Sequence, residues 1–318
     1  MNDTFSSDFL WVEKYRPHKI ADTILPNDLK NTFTKFVEQG QIPNIILSGT
    51  SGIGKTTVAR AMLDELNADY IFINGSLNAG IDTLRNDIAQ YASSYSLKGG
   101  RKYCLLDEAD FLSAHVQGAL RNFMEEYSNA CGFILTCNYK NKIIEPLHSR
   151  CSVIDFTYKK SDIPKLASQF LKRITYILQN ENVKYNKEVL VALIEKFFPD
   201  WRRIINELQR YSVNGEIDTG ILSNITDINI KELMVLLKNK KFEDIRKWVH
   251  EHNDRDSTEF FHSFYKCADE YLVKRSIPLL ILKIADYQYK ASFVADKEIN
   301  TLAFLIEVMM ECEFLWAQ

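Results

Sequence analysis

Through the first 158 residues, short apolar runs recur along the chain: NIILSG (44–49), YIFING (70–75), KYCLLDE (102–108), GFILTCN (132–138) and SVIDF (152–156). Each reads as a strand, and each is separated from the next by a stretch long enough for a helix. Helical spacing of apolar positions falls over 55–67, 80–95 and 113–127, the last opening on Ser113 as an N-cap. The alternation predicts an α/β domain built on a parallel five-stranded sheet with helices on both faces.

After Phe156 the pattern changes. Helical periodicity without strand alternation runs over 162–180, 186–198 and 200–212, and VNGEIDTG (213–220) reads as a break. Further helical segments follow near 230–238, 241–252, 256–272, 274–291 and 297–313. The last of these is apolar over much of its circumference, as expected of a helix buried in a bundle or subunit interface. The chain therefore divides into an α/β domain (1–158), a small helical domain (159–228) and a C-terminal helical domain (229–318). There are no internal repeats or low-complexity segments.

Composition narrows the classes. Hydrophobic residues at 46% and charged residues at 25% are ordinary globular values, which sets aside disordered and fibrous chains. No apolar run approaches the roughly 20 residues needed to span a membrane, and the N-terminus lacks the basic-then-apolar pattern of a signal peptide. The expectation is a soluble, cytoplasmic protein. The six cysteines are scattered without a CxxC pair and read as buried free thiols. A net charge of −3 excludes a protein coated in basic residues but not a local basic stripe that binds phosphates.

The chemistry begins at LSGTSGIGKTT. Gly49, Gly54, Lys55 and Thr56 fit G-x-x-x-x-G-K-[ST] between a strand and a helix. In such a loop the backbone N–H groups from Thr50, Ser51, Gly52, Ile53 and Gly54 through Thr57 turn toward phosphate oxygens. Lys55 then reaches the outer phosphates, and Thr56 offers a hydroxyl to Mg²⁺. In YCLLDEAD an apolar run ends on Asp107 and Glu108, where open α/β sheets place their ligands. Asp107 suits the Mg²⁺ shell and Glu108 suits polarising an attacking water. Asp110 reads instead as a cap of the next helix. ATP binding and hydrolysis is the resulting expectation.

WVEKYRP (11–17), the phosphate loop, LLDEAD and TCNYKNKIIEPLHSRC (136–151) together resemble AAA+ ATPases of the DNA polymerase clamp-loader family. The resemblance covers residues 10–212; length and divergence point to the large subunit of T4-type phage loaders, with a replication factor C small subunit as the alternative. It implies an AAA+ domain, a helical lid and a C-terminal helical collar. It also implies Asn138 as a γ-phosphate sensor and Arg202 as a lid arginine reaching the phosphates. Tyr15, Arg16, Pro17 and Ile24 would line the adenine. Where the family shows Gly-Asp before its arginine pair, this chain has Pro199-Asp200-Trp201. Arg150 is implied as an arginine finger acting in trans on a neighbour's ATP; on its own it reads equally as a loop charge.

The resemblance further implies a sliding clamp, primer–template DNA and other loader subunits as partners, in a pentamer. Gly80, Ile81 and Arg85 would meet DNA phosphates, against a plain solvated helix face as the alternative. Gln117 would relay between the hydrolysis site and DNA, coupled with Arg121 as its partner or as a subunit-interface charge. Tyr91, Tyr95 and Leu97 would touch the clamp or pack beneath the sheet. A nucleotide-binding structural subunit of a replication or recombination complex is the competing reading, followed by a Holliday-junction motor or initiator.

Overall fold

The computed structural model describes residues 9–77, 81–96, 98–213, 215–217, 230–252 and 257–315. The chain forms two compact units, residues 1–221 and 222–318. In the first, strands β1 (Ile45–Ser48), β2 (Tyr70–Asn74), β3 (Lys102–Asp107), β4 (Cys131–Cys137) and β5 (Ser152–Asp155) form one sheet in the order β2-β3-β4-β1-β5. All four pairings are parallel.

Burial follows strand position. Every residue of β1 and β4 is buried, whereas the edge strands β2 and β5 keep exposed positions. Along the inner strands, alternate side chains enter opposite faces, as the two-residue repeat of a strand requires. Ile45, Leu47, Tyr103, Leu105 and Ile134 pack on one face with Phe33, Val58 and Met62. Ile46, Cys104, Leu106, Phe133 and Leu135 pack on the other with Ile88, Leu120 and Phe123.

The covering helices are α1 (Trp11–Lys14), α2 (Asn27–Glu38), α3 (Lys55–Glu65), α4 (Ile81–Ser93), α5 (Ala114–Glu126) and the single turn α6 (Glu145–His148). Ser113 caps α5 by accepting from the Val116 amide. The helix α2 and the short α1 and α6 are not among the elements that the sequence pattern predicts. At the end of α4 the buried Lys102 ammonium donates to the carbonyls of Tyr91 and Ser94, a cation on the negative end of the helix.

The small helical domain contributes α7 (Ile163–Asn180), α8 (Lys187–Phe197) and α9 (Trp201–Ser212) to the same unit. Two short strands, β6 (Lys184–Tyr185) and β7 (Glu216–Ile217), pair in parallel; the second falls within the stretch that reads as a break. The N-terminal arm is bound to these helices. The Trp11 amide donates to Gln209 Oε1 at 2.9 Å, and Arg173 donates to the Tyr15 carbonyl at 2.7 Å.

The second unit is helical: α10 (Ile230–Lys238), α11 (Phe242–Glu251), α12 (Ser257–Tyr271), α13 (Ile277–Ala291) and α14 (Lys297–Glu311). Phe304 on α14 is fully buried against Phe260, Phe261, Phe264 and Tyr287, with ring centroids 5.0–6.2 Å apart. The outward positions of α14 are not apolar throughout, but Ile299 and Met310 are exposed. Phe304→Ala is expected to destabilise this unit by about 3–5 kcal/mol through the lost burial and the cavity left behind. Denaturant unfolding checks it, and an unshifted transition would contradict the central place given to this ring.

Candidate nucleotide site

The phosphate loop leaves β1 and enters α3 through glycines that other residues replace poorly. Gly54 holds φ +97°, a left-handed backbone that opens the helix. At Gly52 (φ +76°) an added Cβ would stand 1.8 Å from Asp200 Oδ1. That carboxylate caps α9, accepting from the Arg203 amide at 2.9 Å, so the first turn of α9 rests directly on the loop.

Lys55 is only 8% exposed. Its ammonium donates to the carbonyls of Gly49 (2.7 Å) and Thr50 (2.8 Å) and to Asn138 Oδ1 (2.9 Å). Burial pulls its pKa below the ordinary value, while the charges of Asp107 and Asp110 act in the opposite sense. One phosphate-loop cation and one strand-end amide thus share a bond before any substrate is considered.

Asp107 ends β3, and its Oδ1 accepts two hydroxyls, from Thr56 and from Thr136, each at 2.6 Å. Thr136, next to the last residue of β4, is itself buried and accepts the Glu108 amide at 3.0 Å. Glu108 adopts a left-handed backbone, φ 55° and ψ 44°, unusual for a side chain with a Cβ. Such strain survives where neighbouring bonds over-determine it, and Glu108 lies on the cleft wall.

Asp110 does not cap a helix. Ser113 fills that position, and the 3₁₀ turn Ala109–Phe111 instead swings Asp110 inward, 7% exposed. Its Oδ2 accepts the amides of Asn138 and Tyr139, both at 3.2 Å. The acidic motif therefore grips the end of β4 twice, through Thr136 and through the backbone of Asn138.

A single cleft gathers these groups. Ser51–Val58, Asp107, Glu108, Thr136 and Asn138 line one part. Tyr15, Arg16, Pro17, Ile24 and Leu25 come from the N-terminal arm, and Phe170, Arg173, Trp201, Arg202 and Ile205 come from the helices after the sheet. Thr50 is not in the lining; its carbonyl receives Lys55. Sequence reasoning misses Thr136, Phe170, Arg173, Trp201 and Ile205. For Thr136 the signal is present, a hydroxyl inside the otherwise apolar GFILTCN.

Other predicted residues are placed elsewhere. Arg150 is absent from the cleft lining; its guanidinium donates to Glu125 and to the Pro146 carbonyl. Gln117 is buried and bonds Leu112, Lys142 and Ile144 of the main chain, whereas Arg121 is exposed and bonds Asn122. The pair does not meet despite its i, i+4 spacing. Tyr91 is not an exposed hydrophobe; it packs against the sheet core, with the Lys102 ammonium 4.6 Å above its ring. Tyr95 is 97% exposed. Gly80 and Leu97 lie outside the described residues; Ile81 and Arg85 fall on α4, their side chains outside the description.

Comparisons with known proteins show the family. Residues 45–158 match the AAA family model (ATPase family associated with various cellular activities). Residues 162–223 match the model of the sliding-clamp-loader large subunit, AAA+ ATPase lid domain. The sliding-clamp-loader large subunit of Escherichia phage RB69 is 35% identical over 98% of both chains, and that of Enterobacteria phage T4 is 36% identical over 96% of both. The chain belongs to the sliding-clamp-loader family of AAA+ ATPases. A replication factor C small subunit from Methanocella arvoryzae is 34% identical over 97% of this chain and 91% of its own.

Among solved structures, a mutant form of Thermotoga maritima RuvB aligns with a TM-score of 0.54, covering 68% of this chain and 74% of that one. At 17% identity the likeness carries the fold alone. Membership of this family makes the chain an ATP hydrolase. Thr136→Val keeps the side-chain volume but removes the hydroxyl that serves Asp107 and Glu108. Turnover is expected to fall about tenfold or more through misplacement of both carboxylates, with nucleotide affinity little changed. Steady-state hydrolysis beside equilibrium nucleotide binding checks it.

Proposed function

We propose that the chain is the ATPase subunit of a sliding-clamp loader. ATP binding assembles a spiral of subunits and opens the clamp; primer–template DNA then triggers hydrolysis and release of the closed clamp. The observation that carries this reading is the place of Arg150. Lys55, Arg202 and Arg173 line the chain's own cleft, but Arg150 stands outside it after α6. A guanidinium there serves a phosphate only on another subunit, as an arginine finger worth several powers of ten in rate in related systems.

Within the cleft, Lys55 neutralises the outer phosphates, Arg202 reaches them from the lid, and Asn138 holds the γ-phosphate or its attacking water. Glu108 orients and polarises that water. The Thr56 hydroxyl and Asp107 carboxylate, bonded at 2.6 Å, form the hard-oxygen pair that holds Mg²⁺ beside substrate phosphates. The ion, when bound, neutralises charge on the phosphate oxygens. Tyr15, Arg16, Pro17 and Ile24 enclose the adenine, and Tyr15 is anchored through its hydroxyl to Glu181.

Three functional parts accompany this reading: an ATPase domain to 158, a lid to 228 and an oligomerising collar to 318. Gly80, Ile81 and Arg85 follow the DNA backbone, so binding is insensitive to sequence and weakens with salt. Gln117 relays between the acidic motif and the segment before Arg150, since its amide bonds Leu112, Lys142 and Ile144 together. Arg121 is an interface charge, and the exposed Tyr95, with Leu97, marks the clamp contact. The assembly is a pentamer carrying several copies of this chain, working in the cytoplasm of a host cell.

ATP turnover by the assembled loader is expected to rise most when clamp and primed DNA are both present; stimulation by junction DNA alone would sink the reading. Arg150→Lys is expected to keep nucleotide binding and lose most DNA-stimulated hydrolysis, because an ammonium does not reproduce the planar fork. Full turnover by that variant in the assembled loader would return Arg150 to a loop charge.

A further inference from the structure

Glu125 lies on the last turn of α5, eight residues beyond Gln117 on the same helix. Its Oε1 accepts from Arg150 Nε at 2.8 Å and from Arg150 Nη2. Arg150 Nη1 donates to the Pro146 carbonyl at 2.9 Å and to Ser149 Oγ at 3.2 Å. All three guanidinium nitrogens are therefore engaged within the chain. A long side chain at a partly exposed position ordinarily samples many rotamers, and ordering it on encounter with a substrate costs entropy. Here the planar group already has one orientation.

The helix beneath it is well anchored. Leu120 and Met124 are buried in the sheet core, and Met124 Sδ lies 3.8 Å from Cys151 Sγ, directly after Arg150. At the other end of α5, Gln117 holds Lys142 and Ile144. One rigid helix thus grips the segment carrying Arg150 before and after that residue. The hydrogen bond and charge of Arg150 hold the Glu125 carboxyl below the usual carboxylate range, so it is ionised in neutral solution.

We propose that Glu125 is the positioning residue for Arg150: it fixes the guanidinium in the orientation in which it meets a neighbouring subunit's ATP. The proposal rests on the reading of Arg150 as a group that acts across a subunit interface. Glu125 itself touches no substrate. Its contribution is geometric, holding the finger so that the orientation is set before the interface closes. An exposed ion pair adds little to stability, so its removal leaves folding intact and isolates the positioning effect.

The test is steady-state ATP hydrolysis by the loader assembled with its partner subunits, clamp and primed DNA, for Glu125→Ala, Glu125→Gln, Arg150→Ala and the double variant. Glu125→Ala is expected to lower kcat about tenfold or more with KM for ATP unchanged. Glu125→Gln, which keeps an acceptor oxygen, is expected to lose less. The double variant should be no slower than Arg150→Ala alone, because residues acting through one group are not additive. If Arg150→Ala abolishes turnover while Glu125→Ala matches or exceeds the unaltered chain, the positioning role is overturned and the finger reading stands. Full turnover by Arg150→Ala overturns the finger reading itself. Additive losses in the double variant would mark Glu125 as acting apart from Arg150 and likewise overturn the proposal.

Discussion

The site depends on one carboxylate oxygen. Asp107 Oδ1 receives the hydroxyls of Thr56 and Thr136 at 2.6 Å each, and those residues belong to the first turn of α3 and to β4. Because β4 lies between β3 and β1, these two bonds span three neighbouring strands at their C-terminal ends. These two bonds tie the phosphate loop to the acidic motif in addition to the sheet pairing. The left-handed backbone of Glu108 follows from the same centre, since its amide bonds the hydroxyl of Thr136.

A second network crosses the first at Asn138. Its side chain accepts from Lys55, and its amide is held by Asp110. Lys55 also bonds two carbonyls of its own loop, so a phosphate that draws the ammonium away changes the partner of Asn138 at once. Downstream of Asn138 the chain runs through the residues gripped by Gln117 to Arg150. Hydrogen bonds thus tie Lys55 to Asn138, and Gln117 ties the acidic motif's loop to the segment before Arg150.

Local pattern carries the strands and most helices because burial on both faces leaves a signal within a few residues. The runs around Ile46, Leu105 and Ile134 are apolar for that reason, and the phosphate loop is legible because its glycines and lysine are contiguous. Asp110 is misread because an acidic residue before a helix matches a cap, and nothing local shows that a 3₁₀ turn will aim it across to β4. Gln117 and Arg121 share a spacing but not an environment, one buried among main-chain partners and the other in solvent. Spacing on a helix gives neighbours along its axis and says nothing of which side the sheet will cover. Phe170, Arg173 and Ile205 reach the cleft only through tertiary packing of a domain that begins after the sheet is complete.

That packing also settles what the departure at Pro199-Asp200-Trp201 does. Asp200 caps α9 and rests where a Cβ of Gly52 would lie, while Trp201 is buried against Phe170 with ring centroids 4.3 Å apart. These two contacts fix the rotation of α9. With that rotation set, Arg202 faces the cleft and Arg203 turns away, its guanidinium 4.4 Å over the Phe197 ring. In this chain the cap by Asp200 and the buried indole set the register that leaves Arg202 at the cleft. The N-terminal arm is tied to the same helices through Gln209 and Arg173. The arm, the first turn of α9 and the phosphate loop thus meet around one cleft, each held by its own hydrogen bonds before any ligand enters.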